Sequence, residues 1–431
     1  MDALASFPPD HAADVRHHWT LDPETTFLNH GSFGACPRVV LEAQSRFREQ
    51  MERQPVRFFV RALEPLLDST RAALGAFVGA DPDDLALVPN ATAGVNAVLR
   101  SLDLRPDDEL IVTNHEYNAC RNALEAAAAR ASARVVVVEV PFPIEAAEQV
   151  VHALVGAVGP RTRLALVDHV TSQTGLVFPV GQIVAALAER GVDVLVDGAH
   201  APGMLPLDLR ALGAAYYTGN CHKWICTPKG AAFLCVRRDR QRAVRPLSIS
   251  HGANAPREDR SRYRLEFDWT GTFDPTPFLC IPEALRFMAT LMPDGSGWPG
   301  LMEHNRRKAL AARALLCTAL GCAAPSPEDM IGALASVPLP PGDGAAPRGP
   351  LFLDPLQEAL FTQCGIEVPV IPWTAASTAP AAPAAPAAPR RLLRISAQIY
   401  NARGEYARLT EALSMLLPLP AAVLPRFSSS L

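Results

Sequence analysis

Apolar positions change their spacing twice along the chain. Between Val39 and Met51, residues Val40, Ala43, Phe47 and Met51 recur at helical spacing. Phe59, Leu63, Leu66, Ala73 and Phe77 carry the same pattern into a second helix. Beyond Pro89, short apolar runs alternate with alanine-rich stretches. The runs are LIVT (110–113), RVVVVEV (134–140), RLALVDH (163–169), VDVLVDG (192–198), AAYYTG (214–219) and AAFLCV (231–236). Helical spacing returns at 92–102, 118–132, 145–157 and 181–190. Strands without a polar face, separated by helices, predict a largely parallel sheet covered on both sides, an α/β fold. Further on, 300–320 reads as a helix and 338–350 as a loop. The Pro/Ala run 374–389 cannot pack a core. A strand at 390–400 and a helix at 404–416 follow. The expected organisation is a helical segment over 1–79, an α/β domain over 80–295 and a smaller α+β domain over 296–431 that carries the Pro/Ala insertion.

Composition narrows the class. Of 431 residues, 49% are hydrophobic and 19% charged, which provides a large core and excludes global disorder. Forty Lys and Arg against 44 Asp and Glu leave a net charge of −4, against a nucleic-acid partner or a polybasic membrane surface. No apolar run approaches the length of a membrane span. The opening MDALASFPPDHAADVRHHW has neither a basic nor an apolar signal region. Nine cysteines, scattered from Cys36 to Cys364, do not form a disulfide framework. A reduced, cytoplasmic enzyme is the expected class.

Ligands of open parallel sheets sit beyond the carboxyl ends of the strands, so the polar residues there carry the chemistry. Three ends stand out: Asp168-His169 with Ser172, Asp197-Gly198-Ala199-His200, and Gly219-Asn220-Cys221-His222-Lys223. Asp197 closes the most apolar run, where a carboxylate needs a cation or capping donors. A lone aspartate there reads as a helix cap, and a lone lysine as a surface group. Together, Lys223 and Asp197 on adjacent strand ends suit pyridoxal phosphate (PLP), which needs an amine for its aldehyde and a carboxylate for its ring nitrogen. In PNATAGVNAVLRSL (89–102), Thr92 and Ala93 open a helix whose N–H groups can cradle a phosphate. No GxGxxG or GxxxxGK[ST] motif occurs, which removes the main support for nucleotide binding. Cys221, Cys226 and Cys235 with His222 lack convincing zinc spacing, so no metal is expected. Arginines 237, 238, 240, 242 and 245 read as a solvated face. The closing SSL gives only a faint peroxisomal signal.

The strings VDVLVDGAHAPG (192–203) and YYTGNCHKWICTPKGAAFL (216–234) resemble the class V aminotransferase family of fold-type-I PLP enzymes. FLNHGSFGACP (27–37), VRFF (56–59), NHEYNA (114–119) and RLLRISAQIYN (391–401) are most similar to its isopenicillin N epimerase-like branch, which also holds C–S lyases and desulfhydrases. The resemblance runs from about Phe27 to about Leu413. It implies that Lys223 carries the cofactor as a Schiff base and shuttles the α-proton, while Asp197 keeps the ring nitrogen protonated. His200 and Ser172 would lie near the ring's phenolate oxygen, and Tyr117 would stack on the face opposite Lys223. Thr92, Ala93, Asn220 and His222 would bind the phosphate, with Thr272 of GTFDPTP reaching it from a second subunit. Arg394 would pair with the substrate carboxylate, helped by backbone at His30-Gly31, and Arg57 would join the substrate site.

The resemblance therefore implies a homodimer with shared active sites acting on an amino acid. Epimerisation is the leading reaction and C–S elimination on a cysteine conjugate the alternative, since both begin at the same carbanion. A binding protein without turnover is a third reading, opposed by intact Lys223, Asp197 and Arg394. Desulfurases keep a mobile-loop cysteine shortly before the carboxylate-binding arginine. Here that stretch is the Pro/Ala run without cysteine, which argues against persulfide transfer, and Cys364 reads as a small buried residue.

Overall fold

The computed structural model describes residues 6–340, 353–373 and 390–417. Seven strands make the central sheet: β1 (Leu85–Val88), β2 (Glu109–Thr113), β3 (Arg134–Val138), β4 (Thr162–Asp168), β5 (Asp193–Asp197), β6 (Tyr216–Asn220) and β7 (Ala232–Val236). Their spatial order is β1-β7-β6-β5-β4-β2-β3. Strands β2 to β6 run parallel, and β7 lies antiparallel between β6 and β1. Successive side chains of a strand point to opposite faces, so each apolar run feeds two cores. Ile111, Ala165, Val167, Val194 and Val196 enter one; Leu110, Val112, Leu164, Leu166 and Leu195 enter the other.

Helices α1 (Arg38–Arg53), α2 (Leu63–Val78), α3 (Ala91–Ser101), α4 (Asn118–Ala131), α5 (Glu148–Gly156) and α6 (Val180–Ala188) surround the sheet. Helices α1, α2, α5 and α6 contribute Val40, Leu74, Leu154 and Ile183 to the first core. Helices α3 and α4 contribute Val98 and Leu124 to the second. A fully buried Leu or Val of this kind stabilises by about 1.5–3 kcal/mol.

Several expectations change in detail. Strand β1 was not among the predicted runs, because its four residues directly precede the Pro89 boundary. Strand β3 is an edge strand with Val137 exposed, so it is not apolar on both faces. The second helix begins with a π-helical stretch, Phe58–Ala62, before α2. The helix expected at 145 starts at Glu148, since the Gln149 carboxamide accepts from the N–H groups of Glu145 and Ala146. The Pro/Ala run 374–389, residues 341–350 of the expected loop, and the closing SSL lie outside the described residues; 338–339 belong to a strand.

A second layer comprises α7 (Gly297–Leu320), β8 (Leu334–Leu339), α8 (Pro355–Cys364), β9 (Val370–Trp373), β10 (Arg390–Ser396) and α9 (Arg403–Leu416). Its antiparallel sheet has the order β9-β10-β8. Leu315, Val337, Leu393, Ile395 and Leu409 form its core. Thr26–Phe27 pairs in parallel with Ile366–Glu367, and the Ser396 N–H donates to Leu28 O at 2.9 Å. Those bonds bring the early HGSFG segment against β10. Gly34, at φ +72°, then passes the loop after β6 so closely that a Cβ would lie 2.3 Å from His222 O.

Candidate active site

The sheet register assembles the acidic end of the site. Asp168 on β4 is the register partner of Asp197 on β5, which pairs in turn with Thr218 on β6. Asp197 is buried; one carboxylate oxygen accepts the Ala199 N–H at 2.9 Å and the other the Cys120 thiol at 3.1 Å. The loop after β6 is pinned by the N–H groups of Cys221 and His222, both donating to Ala231 O. Lys223 follows, with Nζ 3.0 Å from His200 Nε2. Burial, followed by the nearby Arg394 guanidinium, pushes the lysine down to about 7. Burial and then Lys223 push His200 well below the ordinary histidine value.

Arg394 reaches the same region from β10 and is 3% exposed. Its Nη1 donates to the carbonyl of Ser172 and, at 3.3 Å, to its hydroxyl. Its Nη2 donates to Ser32 Oγ at 2.8 Å and Asn29 Oδ1 at 3.3 Å. Among the described residues none of its hydrogen bonds goes to a carboxylate, and its Nε has no partner. A buried guanidinium held only by neutral groups is poised for an anion.

His30 is fully buried, with Nε2 3.0 Å from Lys223 O and Nδ1 2.7 Å from the Tyr400 hydroxyl. Burial lowers it to about 3, so it is neutral. It steadies the main chain of the lysine from behind. Tyr117 precedes α4 and is 46% exposed; burial and then Cys120 and Asp197 raise its hydroxyl.

Other expected positions are arranged differently. The Asn220 carboxamide oxygen accepts the Ala91 N–H at 2.8 Å, so it holds the start of α3 in place. The Ala93 N–H is taken by the α3 cap Asn90 at 2.8 Å. Thr92 is partly exposed in that first turn, and His222 bonds Ala231 O through Nδ1 at 3.0 Å. Burial lowers His222 to about 4. Ser172 sits on Arg394, and the Gly31 N–H donates to Ser396 Oγ at 2.9 Å, so the side chains of Asn29 and Ser32 face the guanidinium in place of the His30-Gly31 backbone. Arg57 is exposed, and no described contact ties it to Lys223; Thr272 is exposed as well. Sequence reasoning passed over Asn29, Ser32, Glu116, Cys120 and Trp224. Each lies inside or beside a quoted motif, which was the available signal.

The aminotransferase class-V family model matches residues 28–289. The chain belongs to that family. It is 35% identical to isopenicillin N epimerase of Amycolatopsis lactamdurans, over 94% of this chain and 98% of that protein. It is 32% identical to putative L-cysteine desulfhydrase 2 of Oryza sativa subsp. japonica, over 94% of this chain and 86% of that protein. In three dimensions it is similar to a mutant of the C–S lyase C-DES with glycine covalently linked to its PLP cofactor (TM-score 0.73, 22% identity, 94% of this chain and 99% of that one). A cysteine desulfurase from Thermococcus onnurineus has a TM-score of 0.74 at 15% identity, over 95% and 99% of the two chains. The architecture is thus that of fold-type-I PLP proteins. The donor set fits the cofactor: a buried amine of lowered basicity, a buried carboxylate one strand away and a helix start at the same end of the sheet.

Proposed function

We propose that the chain is a PLP-dependent enzyme that removes the α-proton of an amino acid and returns it on the opposite face, an amino-acid epimerase of the isopenicillin N epimerase type. The observation that carries the reading is the buried Arg394 guanidinium, which has no carboxylate partner among the described residues and lies close enough to the buried Lys223 to depress its basicity. An amino acid offers an anion to the first and an acidic proton to the second. PLP, when bound, supplies the electron sink that makes that proton acidic.

Each residue then has a task. Lys223, which burial brings down to about 7, would hold the cofactor and accept the α-proton. Asp197 would hold the ring nitrogen with its carboxylate, and His200 would hold the phenolate oxygen. Thr92 in the first turn of α3, with His222, would hold the phosphate end, while the Ala93 N–H stays with its Asn90 cap. Arg394, with Ser32 and Asn29 behind it, orients the substrate by its carboxylate. Tyr117 would cover the face opposite Lys223, where its raised hydroxyl keeps a proton to return. The 80–295 layer holds the cofactor and the 296–431 layer brings Arg394 onto it. We further propose a cytoplasmic location, which nine free cysteines support, and a homodimer, which rests on the family resemblance.

A second reading, C–S elimination, is favoured by the desulfhydrase relatives and by the likeness to a C–S lyase. Incubating the enzyme with an amino-acid panel in D₂O separates them. Deuterium at Cα with inverted configuration supports the epimerase; pyruvate or sulfide release supports the lyase. Neither exchange nor elimination with any member overturns both. In Tyr117→Phe the epimerase reading expects exchange with retention to continue while inversion falls.

A further inference from the structure

We propose that Glu116 and Asp168 share one proton behind Asp197 and act as a positioning pair that sets the charge at the ring-nitrogen end of the site. The pair belongs to the site of the PLP reading and rests on it for its purpose. Its existence rests on hydrogen-bond accounting.

Asp168 and Asp197 are register partners on adjacent parallel strands, so their carboxylates leave the sheet side by side. Glu116 comes in from the turn between β2 and α4, where its N–H donates to Thr113 O; its carboxylate lies within 4.8 Å of the Asp197 carboxylate and the Cys120 sulfur and within hydrogen-bonding reach of Asp168. All three carboxylates are buried, at 5%, 2% and 2% exposure for Glu116, Asp168 and Asp197. The Asp197 oxygens have their donors, the Ala199 N–H and the Cys120 thiol. Both oxygens of Glu116 and Oδ2 of Asp168 have none among the described residues. An ionised carboxylate is acceptor-only, and a buried oxygen without a donor is destabilising.

The neighbouring donors are committed elsewhere. Lys223 Nζ is with His200, and Arg394 is with Ser172, Asn29 and Ser32. Cys120 on α4 faces Asp197 on β5. Tyr117 at the start of α4 is half exposed, and the Tyr217 hydroxyl of β6 is bonded to His169. His115, on the turn from β2, is neutral and held by Thr174 and Val140 O. A proton on the pair itself supplies the missing donor: one carboxyl O–H pointing at the other carboxylate satisfies oxygens of both, and the Tyr117 N–H, which acts on Glu116 the other way, is outweighed by burial and the two aspartates. Burial and like charge act in the same direction. Burial first, then Asp168 and Asp197, raise Glu116; burial, then Asp197, raise Asp168. The shared proton lowers the charge of the trio by one. The charge left on the pair adds to the negative potential that Asp197 presents to a ring nitrogen.

Infrared spectroscopy of the protein as purified tests this without turnover. At pH 7 the wild type should show the C=O stretch of a buried carboxylic acid that shifts in D₂O. Glu116→Gln, whose amide N–H replaces the acid O–H, should lose that band. Wild type without the band, or a band that survives in Glu116→Gln, overturns the pair. Should Glu116→Gln fail to fold, Asp168→Asn should move the band, and an unmoved band overturns the pair equally. With ¹⁵N-labelled PLP the ring-nitrogen signal should be unchanged in Glu116→Gln, which keeps the pair's charge. It should move toward the unprotonated position in the Glu116→Gln/Asp168→Asn double variant, which removes that charge. A signal unmoved there overturns the tuning role. Failure of the protein to take up labelled PLP would instead count against the cofactor reading and leave the infrared result standing.

Discussion

The Nε2 atom of His200 lies 3.0 Å from Nζ of Lys223, and the other ring nitrogen, Nδ1, lies 3.5 Å from the indole Nε1 of Trp224. An indole N–H can only donate, so Nδ1 accepts and the histidine hydrogen sits on Nε2. That hydrogen then points at the lone pair of Lys223, which requires a neutral amine. Burial supplies it by bringing the lysine down to about 7.

The first prediction follows from this pairing. Free amine attacks an aldehyde and ammonium does not, so PLP capture by cofactor-free protein should speed up as pH rises through about 7. The slope should flatten above pH 8, more than two units below an ordinary lysine. Stopped-flow absorbance against pH measures it, and a midpoint near 10 would refute the pairing. Trp224→Phe removes the donor to Nδ1 and lets Nε2 accept from an ammonium, which should move the midpoint up. Borohydride should fix the cofactor onto Lys223, and Lys223→Ala should hold PLP only non-covalently.

Asp197 carries the second. The Cys120 thiol and the Ala199 N–H fix the carboxylate's position; asparagine keeps the shape and can still accept the Ala199 N–H through its oxygen, while its NH₂ donates to the Cys120 sulfur and the charge is gone. Asp197→Asn should retain PLP but lose roughly 10²-fold or more in kcat, about 3 kcal/mol of charge stabilisation. Near-normal kcat would place the ring nitrogen elsewhere.

Arg394 carries the third. Truncation to alanine removes the cation that awaits an anion, at a cost of about 2–5 kcal/mol by analogy with truncated charge pairs. Arg394→Ala should therefore bind PLP normally while kcat/KM for amino acids falls by about 10² or more. Lysine keeps the charge but loses the planar fork that spans Ser172 and Ser32, so orientation suffers too. An amine lacking the carboxylate is the control. Equal losses for amino acid and amine would make Arg394 a residue of the fold.

The strands and the Lys223–Asp197 pair were legible because a buried parallel strand must be apolar throughout, and its end is where polar groups begin. Strand β1 escaped notice since four apolar residues carry too little period to be distinguished from the helix before them. The partners of Arg394 were hidden for another reason. Asn29, Ser32 and Ser172 come from segments more than 200 residues away or brought in by the Thr26–Phe27 pairing, which no local pattern encodes. The same holds for Asn220, whose amide looked free for a phosphate until the fold placed Ala91 against it. Glu116 was overlooked beside Tyr117 because only the folded chain brings its carboxylate against the register pair Asp168–Asp197.

Thr272 offers the test of assembly. It is exposed, and its neighbours Thr270 and Phe273 line a cleft of about 560 Å³ together with Ala93 of α3 and Lys229. The segment therefore lies on the same surface as the start of α3, and two arrangements are open to it. Thr272 can serve its own subunit, or it can cross a twofold axis to serve the partner. Mixing inactive Lys223→Ala with a severely impaired Thr272→Ala, after subunit exchange is verified by mass or tag, distinguishes them. In a crossed dimer, one site of each heterodimer receives Lys223 from one chain and Thr272 from the other and is intact. About a quarter of wild-type activity should then return in an equal mixture, because half the dimers are mixed and each mixed dimer has one good site. In an uncrossed arrangement every site lacks one of the two residues, and mixing restores nothing. A fully active monomer in sedimentation velocity would exclude the shared site outright.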